Sequence, residues 1–372
     1  MRIMIAGGGT GGHVYPGVAV AEELRRANPD VELLFVGTKR GVEKKIIPEL
    51  GYELKIVHAR GFPRKVTPVL LLAFIDFFLG LLQAAKMIIS WKPDCVVGTG
   101  GYVSCPTLMV AKLLRKSTLI QEQNTVPGLS NRLLSLFADE IHISFAESRK
   151  FFRRKTRLRL SGNPVRRSVV EGESGQGLEE FGFSKGKKTV FVFGGSRGAK
   201  RINEAIVRTV TVLKNREDIQ YIIQTGERDF SLVSESLKEF KDRVWIRAYL
   251  DRIEAAYKVA DIVVARAGAT ALAEIAASGL PSILIPYPYA THGHQEVNAA
   301  AFKEAGAARV IRESELTGER LAGVIVSILD DSVTLRKMSK CARGMARYDA
   351  AEKIARCIER LAGGHHPPDA GN

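Results

Sequence analysis

Ile3-Met4-Ile5-Ala6-Gly7-Gly8-Gly9-Thr10-Gly11-Gly12-His13-Val14-Tyr15-Pro16-Gly17 opens the chain and decides how the rest is read. An apolar run of strand length leads into a glycine cluster. A helix-like stretch, Val18–Arg26, follows, with Val18, Ala21 and Leu24 near helical spacing. Glycine lets a backbone approach an anion closely, and the amides and dipole of a helix start favour negative charge. Gly98-Thr99-Gly100-Gly101 and Gly194-Gly195-Ser196-Arg197-Gly198 repeat the arrangement. A single loop of this kind also serves plain tight turns. Three of them imply two nucleotide-fold halves and more than one phosphate-bearing ligand.

Outward from the first loop, Ile3–Ala6, Glu32–Val36, Leu54–Val57, Cys95–Val97, Leu119–Gln121 and Ile141–Ile143 read as strands alternating with helices. The pattern restarts with Val190–Phe193, Tyr221–Gln224, Val244–Arg247, Ile262–Val264, Ser282–Ile285 and Arg309–Ile311. Such alternation predicts an α/β fold, two parallel sheets wrapped by helices. Ser161-Gly162-Asn163-Pro164 is a turn signal and Glu171–Gly177 is polar and glycine-rich. The expected domains are therefore 1–163, 164–345, and a helical ending with a disordered tail at 346–372. The last helix is a candidate to cross back onto the first domain. Two such halves would form a cleft with ligands beyond the carboxyl ends of the strands.

The chain has 372 residues, a length that suits two domains, and 45% hydrophobic and 26% charged residues, as in ordinary globular proteins. A net charge of +15 and a pI near 9.7 are not ordinary. They point to an anionic partner: nucleic acid, an anionic membrane surface or phosphorylated substrates. Solubility alone would also account for them. Cys95, Cys105, Cys341 and Cys357 lack metal-site spacing, which argues against zinc or a disulfide framework and fits a reducing compartment. Strand residues from Arg2 leave no room for a signal peptide, so an intracellular protein is expected.

Gly7, Gly9 and Gly12 satisfy G-x-G-x-x-G, which invites a dinucleotide reading. That reading wants an acid at the end of the second strand. Val36-Gly37-Thr38-Lys39-Arg40 has none, although Arg40 leaves an NADP oxidoreductase open. His13 follows the loop directly. Histidine titrates near neutral pH and suits a general base taking a proton from a hydroxyl. As a lone feature it would equally be a packing residue.

Gly8 to Gly17 closely resembles the opening motif of the MurG family of glycosyltransferases. The resemblance continues through Gly98-Thr99-Gly100-Gly101-Tyr102-Val103-Ser104, Gln121-Glu122-Gln123-Asn124, Gly162-Asn163-Pro164-Val165-Arg166 and Gly194-Gly195-Ser196. It resumes at Arg266-Ala267-Gly268-Ala269-Thr270, Ala273-Glu274 and His294-Gln295-Glu296-Val297-Asn298-Ala299. Arg197 stands where the family often has glutamine. The resemblance implies a GT-B fold, two Rossmann-like domains with parallel sheets facing across a cleft. It implies inverting transfer of N-acetylglucosamine from UDP-GlcNAc to the 4-hydroxyl of the N-acetylmuramoyl-pentapeptide of lipid I, giving lipid II for peptidoglycan synthesis. No cofactor and no metal are expected.

By the same resemblance His13 is the catalytic base. UDP-GlcNAc is expected at Arg166, Ser196, Leu250, Ala269, Thr270, Ala271, Leu272, Ala273, Glu274 and Gln295. Thr10, Gly11, Gly12 and Asn124 would touch the donor from the first domain. Glu274 would take the ribose hydroxyls, Arg166 and Ser196 the diphosphate, and Leu250 the uracil through its backbone. Gly9, Gly100, Gly101, Tyr102 and Ser104 are expected at the acceptor's diphosphate. Within the same fold a UDP-sugar-dependent diacylglycerol glycosyltransferase is the nearest alternative, and the Gln-Glu-Gln-Asn and His-Gln-x-x-Asn-Ala patterns speak against it.

Val69–Leu82 is the most apolar stretch. A spanning helix needs ~20 apolar residues. This stretch is shorter and contains Asp76, so it reads as a helix that does not span. Flanking Arg60, Arg64, Lys65, Lys86 and Lys92 suit partial insertion at an anionic surface. A peripheral protein on the cytoplasmic face of the cell membrane is expected, in company with other cell-wall or division proteins and without nucleic acid. Ser148–Arg159, with seven basic residues in twelve around Phe151 and Phe152, reads as an extension of that footprint.

Overall fold

The computed structural model describes residues 1–61, 68–171, 177–196, 198–290 and 293–364, with the backbone alone at 68 and 69. Arg64, Lys65, Arg197, most of the Glu171–Gly177 linker, the side chain of Val69 and the tail from 365 onward lie outside the described residues. The chain divides into two compact units, Met1–Arg166 with Arg347–Asn372, and Arg167–Ala346.

The strands of the first unit are β1 (Arg2–Gly7), β2 (Glu32–Gly37), β3 (Glu53–Ile56), β4 (Cys95–Gly100), β5 (Ser117–Glu122), β6 (Glu140–Ile143) and β7 (Leu158–Leu160). They make one parallel sheet in the order β3-β2-β1-β4-β5-β6-β7. Its helices are α1 (Gly11–Ala27), α2 (Glu43–Glu49), α3 (Pro68–Trp91), α4 (Ser104–Leu113), α5 (Leu129–Leu134) and the late α15 (Ala350–Ala362). Every residue of β4, β5 and β6 is buried, as expected where helices cover both faces of a parallel sheet. Side chains alternate between two cores. Ile3, Ile5, Val97 and Leu119 pack with α1 and α15, and Met4, Ala6, Val96 and Ile120 with α3 and α4.

The second unit carries β8 (Lys188–Phe193), β9 (Ile219–Gln224), β10 (Val244–Arg247), β11 (Ile262–Ala265), β12 (Ser282–Leu284) and β13 (Ala308–Val310). Their parallel order is β10-β9-β8-β11-β12-β13. The helices are α6 (Arg167–Glu171), α7 (Gly177–Glu180), α8 (Lys200–Val212), α9 (Phe230–Ser236), α10 (Ile253–Val259), α11 (Ala269–Ala277), α12 (His294–Glu304), α13 (Gly318–Leu329) and α14 (Ser332–Met345). In each sheet the strand order reverses beside its first strand, at β1/β4 and at β8/β11. Ligands of doubly wound sheets bind at that point. The first two glycine loops leave β1 and β4, while the third loop and the start of α11 leave β8 and β11.

Two sequence expectations change. The basic run Ser148–Arg159 hides the short strand β7, and part of its charge is structural. Arg157 donates to the Ala138 carbonyl at 2.9 Å and lies near Asp139, and Arg159 pairs with fully buried Glu140. Phe152 is core. Glu140 also binds Arg360 at 2.6 Å, which helps fasten α15 to the sheet. Beside it, burial lowers the pKa of His142 to about 3, and its Nδ1 lies 2.6 Å from the Ser161 hydroxyl.

The apolar stretch, read as ending at Leu82, continues as helix to Trp91. Leu70–Trp91 spans 22 residues with mean hydropathy 1.8, long and apolar enough to cross a membrane by length and composition. One stripe of it belongs to the unit's own core: Ala73, Ala84, Met87 and Ile88 are buried. Gly80 packs so closely on the His58 carbonyl that a Cβ would lie 2.2 Å from it. Leu71, Leu72, Phe74, Ile75, Phe78, Leu79 and Leu82 are exposed on the remaining faces. Asp76 is tolerated among them because Arg60 pairs with it at 2.8 Å.

Candidate active site

A register shift between Ala6 and Gly7 sets Gly7 opposite Gly100, so the first two glycine loops lie side by side. Thr99 Oγ1 closes them by donating to the His13 carbonyl at 2.7 Å. His13, half-buried, turns Nδ1 toward the Thr99 carbonyl and Gln123 Oε1, each at 3.2 Å. Gln123 Nε2 donates to the Thr99 carbonyl at 2.6 Å and to Gln121 Oε1, so its oxygen is the atom left for His13. Both partners of Nδ1 are acceptors. The network therefore assigns the proton to Nδ1 and leaves Nε2 with its lone pair, the tautomer a general base needs. Gly100 (φ +103°) is required here, because a Cβ would stand 2.6 Å from Nδ1.

The Gln121–Asn124 segment is a working unit. Glu122, 2% exposed, accepts from the Asn124 backbone and side chain at 2.9 and 3.2 Å, and from Gly128 N and Asn131 Nδ2 at 3.1 and 2.9 Å. These four bonds fix the loop that presents Asn124. Gln123 and Glu122 were legible only as parts of a motif, and their orienting roles come from contacts across 110 and up to nine residues.

Two expected acceptor contacts are occupied internally. Ser104 is fully buried, and its hydroxyl donates toward the Ala6 and Gly100 carbonyls (2.7 and 2.8 Å) while accepting from Gly100 N at 3.1 Å. It braces the second loop. Gly9 N donates to Glu43 Oε2 at 2.8 Å, a carboxylate that sequence reading passed over. Tyr102 is exposed and Gly101 adopts φ +81°. Arg166, 6% exposed, clusters with the first unit, its guanidinium 4.3 Å from the centre of the Tyr15 ring. A pocket of about 320 Å³ at the ends of β2 and β3 is lined by Lys39, Arg40, His58, Arg60 and Asp76 among others.

In the second unit the loop after β8 turns tightly, with Gly198 N donating to the Gly195 carbonyl at 2.9 Å. Gly198 (φ +72°) lies so near Thr225 that a Cβ would fall 1.9 Å from its carbonyl oxygen. Gln224 ties this loop to Leu250: Nε2 donates to the Gly195 carbonyl at 3.2 Å and Oε1 accepts from Leu250 N at 3.0 Å. Ala269, Thr270 and Ala271 form the first turn of α11, which has neither an acid nor a side-chain cap. The first turns of α1 and α8 share this character, whereas Thr317 and Asp331 cap α13 and α14. An uncapped, acid-free helix start suits an anion. Leu272 is fully buried in a hydrophobic cluster, which leaves only its backbone for a ligand, and Ala273 is half-buried.

Glu274 is 6% exposed rather than a solvated face residue, and Tyr257 donates to its Oε2 at 3.1 Å. Tyr257 itself packs edge-on against Phe191 and Phe193. Gln295 Oε1 accepts from Tyr287 N at 3.0 Å, and buried Asn298 donates to the Ala267 carbonyl at 3.1 Å. Arg266 donates to the Ile285 carbonyl, pairs with Glu313, and lies over Tyr287.

Two Rossmann-like units with ligand loops at both reversal points define a GT-B-type glycosyltransferase. Residues 3–143 match the glycosyltransferase family 28 N-terminal domain, and residues 189–354 match the family 28 C-terminal domain. The chain belongs to the UDP-N-acetylglucosamine--N-acetylmuramyl-(pentapeptide) pyrophosphoryl-undecaprenol N-acetylglucosamine transferase family. It is 42% identical to the Halothermothrix orenii member and 41% to that of Bacillus licheniformis, over 98% of this chain and 100% of each relative. The crystal structure of Acinetobacter baumannii MurG superimposes with a TM-score of 0.71 at 25% identity, covering 96% of this chain and 99% of that one. A Neisseria meningitidis UDP-GlcNAc 2-epimerase bound to UDP-GlcNAc shares the fold, with a TM-score of 0.70 at 12% identity over 97% of this chain and all of the other.

Proposed function

We propose that the chain transfers N-acetylglucosamine from UDP-GlcNAc to the 4-hydroxyl of the N-acetylmuramoyl-pentapeptide of lipid I, inverting the anomeric carbon and producing lipid II. The observation that carries this reading is the imidazole of His13. Its Nδ1 is tied to two acceptors, so Nε2 is the basic atom. Nε2 takes the proton of the acceptor hydroxyl as its oxygen bonds to the anomeric carbon. The bond from that carbon to the diphosphate breaks, and UDP departs with the electron pair. Amides of the third loop and of the α11 start, with Arg166 and Ser196, meet the charge growing on the diphosphate. Glu274 accepts from both ribose hydroxyls, and the Leu250 backbone meets uracil. Asn124, Gln295 and the Thr10–Gly12 turn hold sugar hydroxyls. The acceptor's diphosphate lies against Gly101 and Tyr102, on the outer side of the second loop.

UDP is the discriminating probe. At a concentration 100 times its Kd it adds about 2.7 kcal/mol of stability and raises Tm. NADPH and single-stranded DNA leave Tm unchanged. Stabilisation by NADPH with none by UDP would replace this reading with an oxidoreductase.

The acceptor is lipid-borne, and the exposed apolar face of α3 is the surface that meets its membrane from the cytoplasmic side. Exposed Lys86 adds about 1 kcal/mol near anionic headgroups, whereas the charge of Arg60 is taken up by Asp76. Changing Leu71, Phe74 and Phe78 together to serine abolishes sedimentation with vesicles of anionic phospholipid and leaves the far-UV circular dichroism and Tm nearly unchanged, because all three are exposed. Unfolding of the variant, or undiminished vesicle binding, would contradict the assignment.

A further inference from the structure

Glu43 stands in the first turn of α2 and is completely buried, yet no charged side chain is found to pair with it among the described residues. Backbone and hydroxyl donors hold it instead. Gly9 N reaches Oε2 at 2.8 Å, and Thr38 N and Thr38 Oγ1 reach Oε1 at 2.8 and 2.9 Å. Gly9 lies within the first glycine loop, just beyond β1, and Thr38 follows β2, the neighbouring strand. The carboxylate thus bridges the ends of β1 and β2, where the acid of a dinucleotide site would be sought. It arrives from a helix one turn beyond the strand end.

Glycines leave room for it and for nothing larger. A Cβ on Gly8 would lie 2.3 Å from Oε1, one on Gly41 would lie 1.9 Å from Oε2, and one on Gly37 would lie 2.4 Å from Cγ. The Gly9 amide is the kind of donor that glycine loops turn toward phosphate. Here it already serves an anion built into the chain. A phosphate reaching for the same amide would displace a buried carboxylate or crowd it at a few ångströms, and like charges at such range repel strongly in a protein interior.

We propose that Glu43 is an internal anion that fills the first glycine loop, fixing the loop that leads into His13 and barring phosphate from it. Glu43 is a positioning residue: the amide it holds, that of Gly9, lies two residues before α1 and four before the base it serves. The effect on turnover rests on the transferase reading above, whereas the filling of the loop does not. It assigns different tasks to neighbouring loops of similar sequence: the first is locked for catalysis, and acceptor phosphate is left to the second.

The test compares Glu43→Ala and Glu43→Gln in the full chain. Glu43→Ala empties the site, so acetate or inorganic phosphate at tens of millimolar should raise the Tm of the variant by more than it raises that of wild type, whose other phosphate sites both proteins share. Its kcat should fall on the order of 10- to 100-fold, as for a catalytic group displaced by about 1 Å. UDP affinity should be unchanged, and acetate should restore part of kcat. Anion stabilisation equal in variant and wild type, or a wild-type kcat in Glu43→Ala, would overturn the proposal. If Glu43→Ala does not fold, Glu43→Gln decides. It keeps the volume but turns an amide group toward a donor, so kcat should fall at unchanged UDP affinity, and a wild-type kcat would overturn the proposal. Should the transferase reading itself fail, neither wild type nor variants turn over, and the selective anion stabilisation of Glu43→Ala still reports on the loop.

Discussion

Replacing His13 with alanine is expected to lower turnover by about two to four orders of magnitude, the usual contribution of a positioned general base. UDP should bind the variant as it binds wild type. The expectation follows from the division of labour between the units. The side chains proposed to hold UDP are, apart from Arg166, in the second unit, while His13 contacts Thr99 and Gln123 in the first. Truncation leaves Gln123 Oε1 without its imidazole partner, but the site is only half-buried and water can replace the lost bond. The effect should therefore appear in kcat and spare Tm. Gln123→Ala gives a milder form of the same defect, because it frees the ring without removing it. Unaltered turnover in His13→Ala, or a large loss of UDP affinity, would remove the base assignment.

Replacing Glu274 with alanine is expected to weaken UDP and UDP-GlcNAc by about 10- to 100-fold, corresponding to hydrogen bonds to a charged group worth about 1.5–3 kcal/mol. The carboxylate is 6% exposed, and the Tyr257 hydroxyl donates to one of its oxygens at 3.1 Å. A ribose bringing two hydroxyls would meet an acceptor already oriented. Saturating donor should recover most of kcat, since this contact is made equally before and during the reaction. Titration calorimetry with UDP measures the loss directly, and unchanged affinity would contradict the ribose role. Tyr257→Phe keeps the packing on Phe191 and Phe193 and removes only the brace, so a smaller loss is expected there.

Much of the fold is legible in the sequence. The apolar runs fall on β1–β6 and β8–β13; in central strands such as β4 and β5, covered on both faces, every residue is buried, while the edge strands β3, β10 and β13 keep partly exposed positions. His13 stands out in the sequence because it directly follows a glycine loop. What escaped was whatever depends on distance in space. Gln123 orients His13 from 110 residues away, and Glu43 reaches Gly9 across 34. Strand β7 was masked because Arg159, its central residue, answers buried Glu140 and so looks like part of a surface charge run. Ser104 is expected at the acceptor's diphosphate by resemblance alone; its complete burial shows that its hydroxyl is spent on Ala6 and Gly100. The end of α3 was misjudged at Leu82 because Gln83 and Lys86 interrupt the apolar run while the helix continues to Trp91.

The central claim is that this chain joins a nucleotide-activated N-acetylglucosamine to a lipid-linked muramoyl acceptor. Incubating it with UDP-GlcNAc carrying a radiolabelled sugar and a soluble-chain lipid I analogue tests that claim most directly. The account predicts label in a lipid-linked disaccharide with a β-(1→4) bond and release of one UDP per transfer, both depressed in step by His13→Ala. Label that remains in UDP-GlcNAc or appears as free sugar, with the acceptor unmodified, would contradict it.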